Sequence, residues 1–496
     1  MTRPYKLLIE GELVQTTAFS TGGAEETDSP LDMPIARNGE GRLILRGSSL
    51  AGAFIATAKE LFHALPQNIT EGPPSVQLKR NNDATRPEQL PRLNESVWIF
   101  HHAHPVTTGA EPETETRDNV AISHKTGAAR HGAKFDGEIV PAGTRWHFLM
   151  EVDRYRDQAD DLACAMALSV AERWQTRCWL GRDVARGLGW MQLKNLKVYE
   201  LDAADALLWP DATQTPLEAL KALQAKRRQE PFAGALPPDK QPYQAGGSII
   251  IEVDPDTDEE TWGLDFLSVG GTKDIDPGTT PGKNFLRSCH AADRLVRPLG
   301  EDPDTYLKGD KPDKDIDFRI ATTRGGAGGE VPYIPGASLR GAMRHALAWL
   351  LRRGGETVWE PGEKPVVEDQ VTQLFGSTRD SARLLIGDAH LLNNDWQALL
   401  LEMHAEDEFT GGVCGDSKFD RTCLVKGRFE APWHLQAEDE ASLQSGVEMM
   451  KQLVRLAEAR RIPLGGSQWR GLGWIKLTFT GIPETLVAEA QEAHHE

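Results

Sequence analysis

Apolar and polar residues alternate along residues 5–14, YKLLIEGELV, which predicts a β-strand, and FSTGG supplies the turn that follows. A second strand is expected at LILRG. Helical spacing then takes over in LAGAFIATAKELFHAL, with Ser48 or Ser49 as N-cap and Pro66 as the stop. Residues 66–96 are polar and rich in Pro, Asn and Arg and read as a long exposed loop. SVWIFHHAH is a strand, ETRDNVAISHKTGAARHGAKFD places turn signals around a short strand, and EIVPAGTRWHFLMEVD is a further strand. DQADDLACAMALSVAERWQTR is a helix and MQLKNLKVYEL the last strand before a linker holding an expected helix, PLEALKALQAKRRQ.

The second half repeats this order. SLRGAMRHALAWLLRR, closed by Gly354 and Gly355, answers the first helix, EASLQSGVEMMKQLVRLAEAR the second, and IKLTFTGI the last strand. Residue identities follow the same register. Leu180–Trp190 (LGRDVARGLGW) and Leu464–Trp474 (LGGSQWRGLGW) both fit L-G-x4-R-G-L-G-W, 284 positions apart. KFDGEIVPAG from Lys134 answers KFDRTCLVKG from Lys418 at the same offset. DMPIAR from Asp32 answers DFRIAT from Asp317 at offset 285, and RGSSLAGAF answers PGASLRGAM with Gly47 and Gly336 offset by 289. Four motifs in one order make a tandem duplication. Each half reads β, loop, β, α, long loop, β, β, α, glycine loop, β, which suits an α+β ferredoxin-like (RRM-like) sheet with helices on one side. The expected domains are 1–200 and 248–485, with a linker at 201–247, an acidic insertion at about 272–316 and a tail at 486–496.

Composition narrows the chemistry. With 496 residues and 39% hydrophobic content the chain can bury two or three cores, and no apolar run reaches the roughly 20 residues that span a bilayer, so a cytoplasmic protein is expected. The five cysteines show no CxxC spacing, which argues for buried thiols and against zinc. His101, His102 and His104 lie on one strand without a third ligand on a shared face, and are read as satisfied strand histidines. The formal charge of −19 opposes nonspecific nucleic-acid binding, yet the repeated motifs are locally basic, with Arg37, Arg46 and Arg186 among them.

In the glycine loops, Gly187, Gly189, Gly471 and Gly473 permit positive φ and a nest of N–H groups, and Arg186 and Arg470 offer guanidiniums suited to phosphate. A tight helix-to-strand turn around a core Trp is the plainer alternative. The segment Gly47-Ser48-Ser49, like Ser338 in its counterpart, opens a helix where an anion is favoured, though an ordinary N-cap explains the serine equally. Asp32 and Asp317 precede an Ile-Ala pair in each half and are candidate metal ligands or proton acceptors; Asp28 is a nearby competitor.

Taken together, these motifs, with RDNVAISHKTGAARHGAKFDGEIVPAG among them, resemble the CRISPR-associated RAMP superfamily. Within it the resemblance is to guide-RNA-binding backbone subunits of type III effector complexes, and the two-copy layout looks like their tandem fusion in type III-D systems. The resemblance implies RRM-like domains stacked on a guide RNA, with β-hairpin thumbs around residues 105–133 and 393–417. It implies cleavage of complementary target RNA, dependent on Mg2+ or Mn2+, by Asp32 and Asp317, with other RAMP subunits as partners and no membrane. The basic residue usual after S-L is Ala51 here but Arg340 in the second copy, and Arg319 replaces the residue matching Pro34. A non-catalytic scaffold of the same complex is the alternative; a guide-processing nuclease would need a histidine base that the sequence does not place.

Overall fold

The computed structural model describes residues 6–22, 31–66, 69, 96–107, 111–123, 125–126, 129–153, 158–201, 226–227, 235–240, 243–253, 266–269, 320–324, 330–359, 369–377, 381–404 and 419–483. The 66–96 loop apart from its edges, the acidic insertion, the tail, Asp28 and Asp317 lie outside them. The elements of the first half are β1 (Lys6–Gln15), α1 (Gly47–Leu61), β2 (Trp98–Phe100), β3 (Glu115–Ile122), β4 (Ala129–Ile139), β5 (Arg145–Asp153), α2 (Gln158–Thr176), β6 (Cys178–Trp179), β7 (Trp190–Leu201) and β8 (Lys226–Arg227).

Apart from β3 and β4, these form a mixed helix-and-sheet unit whose sheet runs β2-β5-β1-β7-β6, antiparallel throughout, with β8 beside β7. Strand β1 is central because its apolar residues serve both faces. Leu7, Ile9 and Leu13 join the helices in the main core with Phe54, Trp146 and Trp174, while Leu8 meets Leu149 and Leu201 on the opposite face. Helix α1 buries Gly47, Leu50, Phe54, Ala58 and Leu61, one stripe at 3- and 4-residue spacing. Phe54 lies edge-on to Trp98 and Trp174 at centroid distances of 5.2 and 4.9 Å, which ties helix to sheet.

Three local expectations are corrected. LILRG does not enter a strand: Leu43 and Leu45 make isolated bridges to Arg37 and Ala103. The N-cap of α1 is Arg46, without a side-chain cap, so Ser48 and Ser49 sit inside the first turn. In the linker, Lys226–Arg227 pairs with β7 as a strand instead of continuing a helix, because the open edge of β7 offers backbone partners.

The second unit contains β9 (Tyr243–Val253), β10 (Thr322–Arg324), β11 (Glu330–Pro332), α3 (Gly336–Arg353), α4 (Gln370–Phe375), β12 (Leu384–Ile386), β13 (His390–Leu391), β14 (Gln397–Met403), β15 (Phe419–Ala437), α5 (Glu440–Glu458) and β16 (Lys476–Phe479). Its sheet runs β12-β15-β9-β16, and one long strand does two jobs. Residues Gly427–Ala437 of β15 pair with β9, while the preceding Phe419–Lys426 pair with β14 as a hairpin. Helix α5 begins at Asp439, whose carboxylate accepts Ser442 N–H at 2.7 Å, and buries Leu443, Val447, Met450 and Leu453 on one face. By their packing, residues Thr116–Gly137, which include most of the β3–β4 hairpin, and Ala185–Leu188 belong with this second unit. No helix among the described residues is long and apolar enough to cross a membrane.

Candidate functional site

The two glycine loops are built on one hydrogen-bond frame. Leu180 N–H donates to Gly189 O and Leu464 N–H to Gly473 O, both at 2.9 Å; Gly189 N–H and Gly473 N–H donate to Ala18 O and Phe266 O, both at 2.7 Å. A 3-10 turn fills each loop, Val184–Arg186 or Gln468–Arg470, and the closing Trp holds it through Nε1: Trp190 to Val184 O at 3.0 Å, Trp474 to Gln468 O at 3.2 Å. Gly189 and Gly473 are required in full. Their φ values are 73° and 82°, and a Cβ would stand 1.8 or 2.0 Å from the carbonyl oxygen of Leu180 or Leu464.

The loop tips differ. Gly187 is buried, with space for a Cβ closed by Asp388 at 2.9 Å, and Arg186 lies 5.8 Å from the Phe135 ring. Gly471 is exposed with nothing near its absent Cβ. Arg470 lies 4.3 Å over the ring of Trp469, which is 81% exposed, and its Nη1 reaches Met403 Sδ at 3.4 Å.

Asp32 is exposed, in a loop held from beneath. Glu138 accepts Ile35 N–H at 2.9 Å, Thr114 Oγ1 at 2.6 Å and Arg37 Nη2 at 2.5 Å. Burial pushes the Glu138 carboxyl upward, but the Thr114, Ile35 and Arg37 bonds outweigh it and hold it below the ordinary value. On the other side Arg182 donates to Ser20 Oγ at 3.1 Å and to the carbonyls of Met33 and Pro34 at 3.3 and 3.1 Å. Arg37 is therefore engaged within the protein. In the second copy Ile320 N–H is held by Thr422 Oγ1 at 2.8 Å, Thr422 being the counterpart of Glu138.

Each G-x-S-L helix begins with a buried glycine whose N–H has a side-chain acceptor. Gly47 N–H donates to His102 Nδ1 at 2.9 Å and Gly336 N–H to Asp388 Oδ1 at 2.8 Å. Ser48 is exposed, Ser49, Arg46 and Ser338 are half-buried, and Arg340 is turned to the Phe375 carbonyl, its guanidinium 5.6 Å from that ring. Asp388 also pairs with Arg117 from the β3–β4 hairpin, Nη2 to Oδ2 at 3.0 Å, and the Arg117 guanidinium lies 5.2 Å from the Tyr333 ring. Burial works against the Arg117 charge, yet Asp388 and Tyr333 raise its pKa overall, while burial lowers that of neighbouring His390. Sequence reading passed over this acceptor pair. Its signal was His102-Ala103-His104 against Asp388-Ala389-His390, a fifth match at offset 286. His101 bonds Glu151 at 2.7 Å, and among the described residues no three His, Cys, Asp or Glu converge as a metal cluster. Cys164, Cys178 and Cys423 are buried and form no disulfide.

A chain with two antiparallel α/β units, each closing on the same arginine-glycine loop and opening a helix on a buried, capped glycine, is an internally duplicated protein of one domain type. It belongs to the RAMP superfamily, whose family model matches residues 16–192 and again 321–476. A relative is the CRISPR system Cms endoribonuclease Csm3 of Streptococcus thermophilus, 28% identical over 170 residues that make up 32% of this chain and 73% of that protein.

Proposed function

We propose that the chain is a backbone subunit of a type III CRISPR effector complex, of type III-D-like tandem form, that binds guide RNA and cleaves complementary target RNA once per domain. The observation that carries this is the second appearance of the loop frame, the capped glycine helix and the anchored Ile-Ala segment, which supports two comparable stations on one chain. The βαββαβ connectivity with strand orders β2-β5-β1-β7 and β12-β15-β9-β16 supports two ferredoxin-like domains. Strands β3 and β4 overlap the region 105–133 and β14 the region 393–417, which supports reading these regions as thumbs.

Asp32 suits a hard cation only with help. The neighbouring carbonyls of Met33 and Pro34 are engaged by Arg182, so Mg2+ would be held by the Asp32 carboxylate and by RNA phosphate oxygens. When bound, the cation would neutralise charge developing on the scissile phosphate. The exposed carboxylate would face the RNA, and the Glu138 and Arg182 anchors would keep it in place while a splayed nucleotide presents its 2′-OH in line. In the second copy Arg470, stacked over exposed Trp469, would contact phosphate. Sequence choice would rest on base pairing, and the acidic remainder of the surface would discourage unguided RNA.

The test is reconstitution with guide RNA and partner subunits, followed by mapping of cuts on end-labelled target. Asp32→Ala should remove one Mg2+-dependent product and Asp317→Ala the other, with guide and target still bound. Unchanged products in the double variant would leave a non-catalytic scaffold.

A further inference from the structure

Ser20 and Ser268 hold the same place in the two copies. Ser20 Oγ donates to Glu138 O at 2.9 Å and Ser268 Oγ to Thr422 O at 3.1 Å; their own carbonyls accept the N–H of Arg182 and of Gly466, both at 3.0 Å. In the first copy Arg182 also sends its guanidinium to Ser20 Oγ. The matching loop residue in the second copy is Gly466, which has no side chain to do this. The guanidinium is nevertheless there. Arg421, on β15, donates from Nη1 to Ser268 Oγ at 3.1 Å, and a Cβ added to Gly466 would stand 3.0 Å from that same Nη1. The counterpart of Arg421 in the first copy is Gly137, so arginine and glycine have exchanged places in sequence while the guanidinium keeps its place in space.

A charge is costly in either position. Burial lowers the pKa of Arg182 against the pull of Asp183, and lowers that of Arg421, with Arg470 adding repulsion. A neutral side chain could cap a serine hydroxyl more cheaply. What the guanidinium adds is visible in the first copy, where its Nη2 grips the carbonyls of Met33 and Pro34, the two residues that follow Asp32.

We propose that Arg182 is a positioning residue for the Asp32 carboxylate. This rests on the reading of Asp32 as the cleaving carboxylate. Arg182 touches no substrate; it sets the backbone from which Asp32 projects.

The experiment uses the reconstituted complex with guide RNA and end-labelled target under single-turnover conditions, with thermal melts of every variant. Arg182→Gln should slow the cut that Asp32→Ala removes by about 10- to 100-fold, the scale of a misplaced reacting group, while the other cut and target affinity stay within about 2-fold. Unchanged cutting by Arg182→Gln, or loss of both cuts together with RNA binding, would overturn the proposal. A wild-type complex that binds but does not cut would overturn the cleavage reading itself and this assignment with it.

Discussion

Replacing Arg117 with Met tests what holds the β3–β4 hairpin residues in the second unit. Arg117 and Asp388 are 9% and 2% exposed and meet through two contacts, at 3.0 and 3.4 Å. Removing one partner of such a buried pair leaves the other charge uncompensated, at a cost of about 3–5 kcal/mol. Asp388 would retain the Gly336 N–H at 2.8 Å, so the lower end applies, about 3 kcal/mol. For a unit of this size that corresponds to a fall in Tm of about 6–12 °C. Asp388→Asn alone should cost a comparable amount, since it leaves the guanidinium buried without an anion while its Oδ1 can still cap α3. The double variant removes both charges and should recover at least about 1.5 kcal/mol relative to the sum of the singles. Scanning calorimetry of the full chain, read on the transition that moves, completes the cycle. Single variants within about 0.5 kcal/mol of wild type, with no coupling between them, would refute the reasoning.

Acid should weaken the first unit through Glu151. Burial alone would raise its carboxyl, but hydrogen bonds from His101 and Lys6 pull it from 4.5 down to about 2, so its contribution is complete above pH 4.5 and is lost as pH falls toward 2. Glu151→Gln should flatten the stability profile across that window in urea titrations, by on the order of 2–3 kcal/mol; an unchanged slope would contradict the assignment. In the second glycine loop, Gly473→Ala should destabilise by about 2–4 kcal/mol through positive φ and the clash with Leu464 O, whereas Gly471→Ala, with open space at its Cβ, should cost only about 1–2. Equal melting temperatures for the two variants would show that the loop frame does not bear on stability.

The duplication was legible because four motifs keep one order and nearly one spacing, and spacing survives when individual side chains drift. The helices were legible for the same local reason: the buried stripe of α1 is a period, and a period is a property of the sequence. Local signals failed where partners come from far along the chain. LILRG became bridges, Lys226–Arg227 became an edge strand, and the opening glycine of each G-x-S-L helix gives its N–H not to a helix serine but to a distant side chain, Gly47 to His102 and Gly336 to Asp388, 55 and 52 residues along the chain. Only the tertiary structure could show that Arg182 and Arg421 deliver their guanidiniums to equivalent serines, since alignment pairs each with a glycine. Sequence fixes which groups are available and how the backbone is punctuated; which of them meet is decided by packing, because a hydrogen bond depends on distance through space and not on distance along the chain.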